Sequence, residues 1–482
     1  MSPSLEDRLH GGLSGYIAAP QWLKSLLGTA YRQLPLGLRR GQAYTHFRTV
    51  LAQGDHATVT TYARARLADT LRWAVETVPA YAHLRTVVVD ETDPYRALGH
   101  FPLTAKADIK ADTARYLSSA MPADKRLRAF TGGSTAEPMQ FYLGKDVSRP
   151  REYAFMDDFH ARASYRDGEL ALALRGRSVP SAAKPGGRLW MYEPIKRQLI
   201  LSSDHLLARW MPLYVEALRQ WRPRFIQAFP SALYPLARWL AENPAPDITG
   251  NIQSVMLYSE NVYDYQMRLF REVFGCPVIK HYGQSERVLM AASLPDDERY
   301  FFWPQYGHVE LVDSNGLPIT VPGVLGEVVG TSFDNRVMPF VRYRTGDLAM
   351  WSAEPPPPSL AGYPVVERIE GRLQEFVVCH DGRLVSICTL GAAHFEELAR
   401  VGAIQYEQSK PGRLTLKVVA SSRLTEETRQ RIAAAIENKT QGGCVAEVLE
   451  VDDLPRTRTG KHVMLIQHID AAYPLMHALK EA

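Results

Sequence analysis

The chain has 482 residues, too many for one ordinary hydrophobic core, so two or more domains are expected. Apolar residues make up 46% and charged residues 22%, an ordinary globular composition, and 56 basic against 52 acidic side chains leave a formal charge of only +4. That balance gives no reason to invoke nucleic acid, which calls for a clustered basic face, and any basic pocket is expected to meet a small anionic ligand. The cysteines Cys276, Cys379, Cys388 and Cys444 form no Cys-x-x-Cys pair, so a reduced protein without disulfides is expected. The set Cys379, His380, Cys388 and His394 has no standard zinc spacing, and scattered buried thiols are the expectation. The residues after Met1 lack a basic start followed by an apolar signal core, and no run approaches the length of a membrane span; a cytoplasmic location is expected.

In chain order, residues 1–100 carry Leu, Ala and Arg at helical spacing and few strand signals. Within them, Trp22, Leu23, Leu26, Leu27 and Tyr31 lie on a basic amphipathic segment that suits docking on the protein's own core, with a membrane surface as the alternative. Strand patterns then follow at Arg126–Phe130, Met139–Leu143, Leu170–Leu174, Phe225–Ala228, Ser254–Tyr258, Pro277–Tyr282, His308–Val312 and Glu327–Thr331. Helical patterns occur at Leu206–Arg219, Tyr234–Glu242 and Val262–Phe274. Such alternation predicts an α/β fold: a large mixed α/β domain over residues 1–370, with residues 1–100 as its helical region. The Pro355–Pro358 run reads as a stiff exposed loop. A small α+β domain is expected over residues 371–482, with a hairpin across Asp381-Gly382, strands near Ile404–Tyr406, Leu414–Val419 and Ala446–Val451, and a helix Thr425–Glu437.

Chemistry concentrates in a few short segments. Thr131-Gly132-Gly133-Ser134-Thr135 lies between two strand patterns, where glycines allow close approach and successive N–H groups and hydroxyls can wrap a polyphosphate. It lacks the Gly-Lys-Ser/Thr of a Walker loop. Further on stand His281-Tyr282-Gly283-Gln284-Ser285-Glu286, Tyr343-Arg344-Thr345-Gly346-Asp347, Gly371-Arg372-Leu373-Gln374 and Thr457-Arg458-Thr459-Gly460-Lys461. In this order the segments resemble the signature motifs of the adenylate-forming enzymes, which include acyl-CoA synthetases, nonribosomal peptide adenylation domains and luciferases. Within that superfamily the chain is most similar to the phenylacetate–CoA ligase branch, and closer still to its CapK-like members. The carriers of that likeness are Leu71–Tyr81 with its Val78-Pro79-Ala80-Tyr81 end, Pro102-Leu103-Thr104-Ala105-Lys106, and Phe229-Pro230-Ser231-Ala232-Leu233. It covers roughly Ala68 onward.

The resemblance implies ATP-dependent activation of a small-molecule carboxylic acid, with ATP and Mg²⁺ required. Lys461 is then the transition-state cation and Glu286 the Mg²⁺ ligand; Asp347 holds the ribose, Arg372 adds a second contact, and Tyr282 stacks on adenine. Thr131 to Thr135 and Gly283, Gln284 and Ser285 would surround the phosphates, and Ser259 and Glu260 the adenine edge, with Tyr258 where the family often has glycine. His281 either steers the carboxylate or is a hydrogen-bonded structural histidine, and Phe229, Ser231, Tyr258 and His281 are the acyl-pocket candidates, whose aromatic character suits an aryl or other flat acid. Gln374 is the hinge of a mobile C-terminal lid. Singly, each residue also has a plain structural reading: Asp347 with Arg372 as an ion pair, Glu286 as a strand-end acid, Lys461 as a solvated lysine. The joint order favours the chemical one.

Departures from the pattern fall at Ala136 and Glu137 in the phosphate loop and at Gln374-Glu375 in the hinge. The hairpin over Val378–Leu384 lacks the thiol-tunnel loop of the branch's CoA ligases. Coenzyme A is the commonest acceptor in the family; an amine, a hydroxyl, a carrier protein or direct adenylyl transfer is the alternative, and an inactive scaffold keeping the fold is the reading from another class. The acid, the acceptor and a homodimeric state are left open.

Overall fold

In the computed structural model the described residues are 15–16, 19–131, 139–175, 179, 187–203, 205–206, 208–372, 376–381, 384–387, 390, 401–420, 423–455 and 463–469. Several sequence expectations therefore lie outside them: residues 132–135, Gln374 and Lys461, as well as Cys388 and His394.

The N-terminal part is helical. Helices α1 (Gln21–Gln33), α2 (Leu36–Ala52) and α3 (His56–Thr77) follow one another, and Asp55 caps α3 by accepting the Thr58 N–H at 3.0 Å. Helix α2 is broken at Gly41, whose φ of 83° is open to glycine and costly for other residues. Hairpin β1 (Arg126–Phe130) and β2 (Gln140–Gly144) comes next, then α4 (Ser148–Arg162), which packs on α2 through Phe47 and Phe155.

Strands β3 (Ala171–Leu174), β4 (Trp190–Glu193), β5 (Gln198–Leu201), β6 (Phe225–Ala228), β7 (Ser254–Leu257) and β8 (Val278–Gly283) build one half of the main sheet. All of them except the edge strand β4 pair in parallel. Every residue of β3, β5, β6 and β7 is buried, as expected of parallel strands covered on both faces. Helices α5 (Met211–Trp221), α6 (Pro230–Glu242) and α7 (Asp264–Phe274) make the connections, and α7 stops at Gly275 in the left-handed conformation.

Beyond β8 the sheet becomes antiparallel, through β9 (Met290–Ala292), β10 (Tyr300–Phe302), β11 (Gly307–Val312), β12 (Leu325–Ser332), β13 (Tyr343–Trp351) and β14 (Val365–Arg372). Among the described residues twelve strands share this sheet, in the order β11-β12-β13-β14-β10-β9-β8-β7-β6-β3-β5-β4. The change from parallel to antiparallel therefore falls at β8. Hairpin β1–β2 covers the antiparallel half, with Met139, Phe141 and Leu143 packed in one cluster with Val288, Leu289 and Phe340.

The smaller part begins with β15 (Phe376–Val378) and β16 (Leu384–Ser386), the hairpin expected across Asp381. Strands β17 (Val401–Lys410), β18 (Arg413–Ala420), β19 (Val445–Glu450) and β20 (Leu465–Gln467) form a second sheet, and α8 (Glu426–Lys439), capped by Thr425, packs with it. Its core brings Cys379 and Cys444 together with their sulfurs 3.9 Å apart, a proximity the sequence spacing does not reveal. No helix among the described residues is long and apolar enough to cross a membrane.

The sequence patterns for β6, β7, α7, β17, β18 and α8 agree with these elements to within a few residues. Helix α4 and the strands β4, β5, β9, β10, β13, β14 and β20 have no counterpart among the sequence patterns. They are short or mixed in character, and tertiary burial decides their conformation.

Close backbone approach marks the join between β8 and the antiparallel half. A Cβ on Gly307 would overlap the Val288 carbonyl oxygen and lie 3.0 Å from that of Thr331. Both obstacles are backbone atoms, so little can yield. The Gly307→Ala variant is expected to lose about 1–3 kcal/mol of stability, read from urea midpoints at unchanged m-value; an unchanged midpoint would refute the packing argument.

Candidate active site

Two chain segments leave the carboxyl ends of β7 and β8 and turn into a cleft of about 1510 Å³, with Gln227 of β6 also lining it. Ligands in open α/β sheets bind at these strand ends. The opposite wall comes from β13, α4 and the start of α2.

The two motif segments His281–Glu286 and Tyr343–Asp347 meet in this cleft and exchange hydrogen bonds. Tyr343 donates to Glu286 Oε1 at 2.7 Å, and Tyr282 donates to Asp347 Oδ2 at 2.7 Å. Both carboxylates are nearly closed off from solvent, at 8% exposure for Glu286 and 9% for Asp347. Burial and the adjacent Asp347 raise the Tyr282 phenol well above its ordinary pKa, so it remains a donor. Arg344 clasps Glu327 at 2.8 and 2.5 Å, and the Gly346 N–H reaches the other oxygen of Glu327 at 3.2 Å. Glu327 thus holds the Tyr343–Asp347 segment in shape. Gly346 has a φ of 77°, which turns the chain between Thr345 and Asp347.

Arg372 stands opposite Asp347 in the β13–β14 register. Thr131 is buried and accepts the Met139 N–H on its hydroxyl at 2.9 Å while its own N–H donates to the Met139 carbonyl at 3.0 Å. The base of the loop carrying Gly132, Gly133, Ser134 and Thr135 is thereby pinned beside the cleft; the loop itself lies outside the described residues, as does Lys461.

After β7 the chain turns at Ser259, whose φ of 62° is unusual for a side-chain-bearing residue. The turn brings Tyr258, Ser259 and Glu260 to the cleft. Glu260 accepts both the N–H and the hydroxyl of Ser231, each at 3.0 Å, at the first turn of α6, where a carboxylate is favoured. Ser231 is therefore engaged in tying two loops together. Neither Ser231 nor Phe229 is among the residues lining the cleft, whereas Tyr258 and His281 both are.

His281 packs against Phe159 and Tyr258, with ring centroids 5.3 and 5.8 Å away. Its Nε2 is buried and finds no hydrogen-bond partner among the described residues, and neither does Gln284 Nε2, although Gln284 Oε1 accepts the Leu289 N–H at 3.1 Å. Orphaned polar atoms of this kind mark a place where a ligand can complete the hydrogen bonding. Burial, with Arg175 as the next cause, pushes His281 down to about 3, so its ring is neutral at ordinary pH.

Residues absent from the sequence reading complete the far end. His160 on α4 shares a 2.9 Å hydrogen bond with the Tyr258 hydroxyl, and the Arg175 guanidinium lies 4.3 Å from the Tyr258 ring centroid. Arg40 pairs with Asp157 and Asp167, and Arg39 with Asp167. The one available signal was Asp157 and His160 at i,i+3 on a single helix. Arg39, Arg175 and Gln227 are far apart in sequence, and only the fold gathers them.

No protein-family model matches the chain. Its sequence is similar to Protein CapK of Staphylococcus aureus, 22% identical over 299 residues, which are 61% of this chain and 63% of CapK. The matched region is thus somewhat less than two thirds of that relative's own length. It is also similar to the phenylacetate-coenzyme A ligase of Aromatoleum evansii, 23% identical over 331 residues, covering 65% of this chain and 71% of that one. Among solved structures, 2-hydroxyisobutyryl-CoA ligase in the postadenylation state with 2-HIB-AMP matches with a TM-score of 0.64 at 16% identity, over 89% of this chain and 92% of that one. At this identity the structural likeness shows the fold: the large α/β part with a smaller C-terminal part has the architecture of that ligase, and both sequence relatives are similar over much of the same stretch.

Two buried neutral histidines have a consequence for stability. Burial, then the nearby Arg175, brings His160 to about 3 in the folded state, against about 6.5 when unfolded. Above pH ~6.5 both states are neutral and the contribution is whole. As pH falls below that value the unfolded chain takes up a proton that the folded chain refuses, and stability is lost until about pH 3. Between about pH 7 and pH 5 the parent protein should lose about 2 kcal/mol more than His160→Gln, which keeps a hydrogen-bonding group but cannot titrate. Urea melts at the two pH values test this, and parallel losses would refute it.

Proposed function

We propose that this protein activates a carboxylic acid as its acyl-adenylate, with release of pyrophosphate, and then passes the acyl group to an acceptor. The single observation that carries the reading is the crossed tyrosine–carboxylate pair, which draws the two acids of separate motifs, Glu286 and Asp347, to one cleft at the sheet's switch point.

In the reaction a carboxylate oxygen of the acid attacks the α-phosphorus of ATP, the bond to the β-phosphate oxygen breaks, and pyrophosphate leaves. Two anions must approach, so positive charge has to offset their repulsion as the transition state forms. Lys461 is the proposed source, bridging the acid and the phosphate. Asp347 accepts the ribose hydroxyls on the carboxylate that Tyr282 orients, with Arg372 beside it. Tyr282 offers its ring face to adenine, and Ser259 and Glu260 border the base. Thr131 anchors the loop of Gly132, Gly133, Ser134 and Thr135 around the phosphates, with Gly283, Gln284 and Ser285 facing it. The orphan Nε2 of Gln284 is a donor for a phosphate or sugar oxygen, and His281, neutral, orients the acid's carboxylate.

Among the described residues no group of three or more His, Cys, Asp or Glu side chains is arranged to cage a metal. Glu286 alone, in a cleft open to a triphosphate, fits a hard cation that keeps phosphate and water oxygens as its other ligands. Mg²⁺ held there supplies positive charge at the phosphates. The Tyr343 hydroxyl fixes the Glu286 carboxylate for that contact.

Residues 371–482 are proposed to act as a lid pivoting at Gln374, since Lys461 must withdraw before an acceptor can reach the adenylate. Coenzyme A is the acceptor favoured by the named ligases; an amine, hydroxyl or carrier protein is the alternative favoured by the plain hairpin β15–β16. Of the four residues behind the flat-acid expectation, Phe229 and Ser231 do not line the cleft, so only Tyr258 and His281 still support it.

Lys461→Ala is expected to lower acid-dependent ATP–pyrophosphate exchange by about 100-fold or more while leaving the thermal midpoint unchanged. Exchange at the parent rate would remove Lys461 from the reaction. For the acceptor, single-turnover decay of the acyl-adenylate should accelerate on adding coenzyme A; a decay indifferent to the thiol would promote the amine, hydroxyl or carrier-protein reading.

A further inference from the structure

The cleft continues past Tyr258 and His281, where charged and polar side chains stand among Tyr31, Tyr153, Met156, Tyr165 and Ile195. On one side Arg40 and Arg39 of α2, at 8% and 7% exposure, pair with Asp157 and Asp167. Asp157 also accepts the Tyr44 hydroxyl at 2.7 Å. On the other side Gln198 of β5 donates to Gln227 of β6 at 2.7 Å, two buried amides where neighbouring strand positions are otherwise apolar. Arg175 and Lys196 also line this end. Arg39, Arg40, Arg175 and Lys196 are the cations of this end, and Asp157 and Asp167 pair with the first two. The positive field is felt at His160, where burial is the first cause disfavouring protonation and Arg175, Arg40 and Lys196 add to it.

A hydrocarbon placed here would strip water from these ion pairs and amides and supply no hydrogen bond in exchange. A ligand rich in hydrogen-bond acceptors would be met on several sides. Taking the acid-activation reading as its basis, we propose that the acid handled by this cleft carries a polar, acceptor-rich distal end, a second carboxylate or a cluster of hydroxyls, and is neither a plain alkyl nor an unsubstituted aryl acid. Arg175, beside Tyr258, and the Arg40–Asp157 pair on the α2–α4 wall are the residues assigned to recognise it. The break in α2 at Gly41 directly follows the two arginines, so the helical N-terminal region contributes to selectivity as well as to support.

The test uses the full chain and calorimetric titration with 5′-sulfamoyladenosine, bare and as its N-hexanoyl, N-phenylacetyl, N-(5-carboxypentanoyl) and N-gluconoyl derivatives. These mimic the adenylate, so affinity is read without turnover. At least one of the two polar derivatives should bind roughly tenfold or more tighter than both hydrocarbon ones, and the winner between them tells carboxylate from hydroxyl recognition. In Arg175→Met that ratio should collapse while the bare nucleoside binds as before; Arg175 carries this arm because Arg40 is built into the buried ion-pair network. Hydrocarbon derivatives binding as tightly as the polar ones, with the bare compound also bound, would overturn the polar-end inference and leave adenylation standing. A ratio preserved in Arg175→Met would overturn the assignment to this wall. Failure of the bare compound and every derivative to bind would overturn the adenylation reading, and this inference with it.

Discussion

Two phenol–carboxylate hydrogen bonds bind the halves of the main sheet together at its centre. Tyr282 comes from the last parallel strand and reaches Asp347 on an antiparallel one; Tyr343 comes from that antiparallel strand and reaches Glu286 just past the end of the parallel one. Each is charge-assisted and largely buried, a class worth about 1.5–3 kcal/mol apiece. Their larger effect is geometric. Two carboxylates that would otherwise avoid a low-dielectric cleft are kept in it and aimed, because each accepts a phenol hydroxyl at 2.7 Å.

The surrounding structure keeps that crossing in register. Glu327 restrains the Tyr343–Asp347 turn through Arg344 and the Gly346 N–H, and Gly307 and Gly330 let backbone and side chains crowd beneath it. On the other flank Glu260 ties the turn after β7 to the first residues of α6. The start of β13 and the turn after β7 are therefore positioned by carboxylates that accept from backbone, hydroxyl or guanidinium donors. Such a site is rigid on its sheet side, which suits a reaction whose barrier is lowered by preorganised charge.

The helical N-terminal region has a part in this that its sequence did not announce. Trp22, Leu26 and Leu38 remain exposed, so the apolar face of its first segment is not wholly spent on the protein's own core. The buried contribution comes instead from Arg39, Arg40, Tyr44 and Phe47, which lock α2 against α4 and give the far end of the cleft its charge. Buried arginines are tolerated there because each meets a carboxylate; removing one partner would leave the other charge stranded.

Much of the fold was legible in the residues themselves. Largely apolar runs such as Phe225–Ala228 and Ser254–Tyr258 announced strands, and the pattern over Val262–Phe274 announced a helix, because these elements owe their conformation to local pattern. The motif order likewise pointed to Glu286 and Asp347 before any geometry was known. What the sequence by itself could not determine was which side chain would serve which neighbour. Ser231 and Phe229 had the chemistry of pocket residues, yet Ser231 is spent on Glu260 and Phe229 lies outside the cleft lining. Tyr343 was one letter of a motif, His160 offered only its i,i+3 spacing to Asp157, and Arg39, Arg175 and Gln227 were no signal at all. Hydrogen bonds and ion pairs act over a few ångströms between residues from 29 to 128 positions apart, so only the closed tertiary structure decides them.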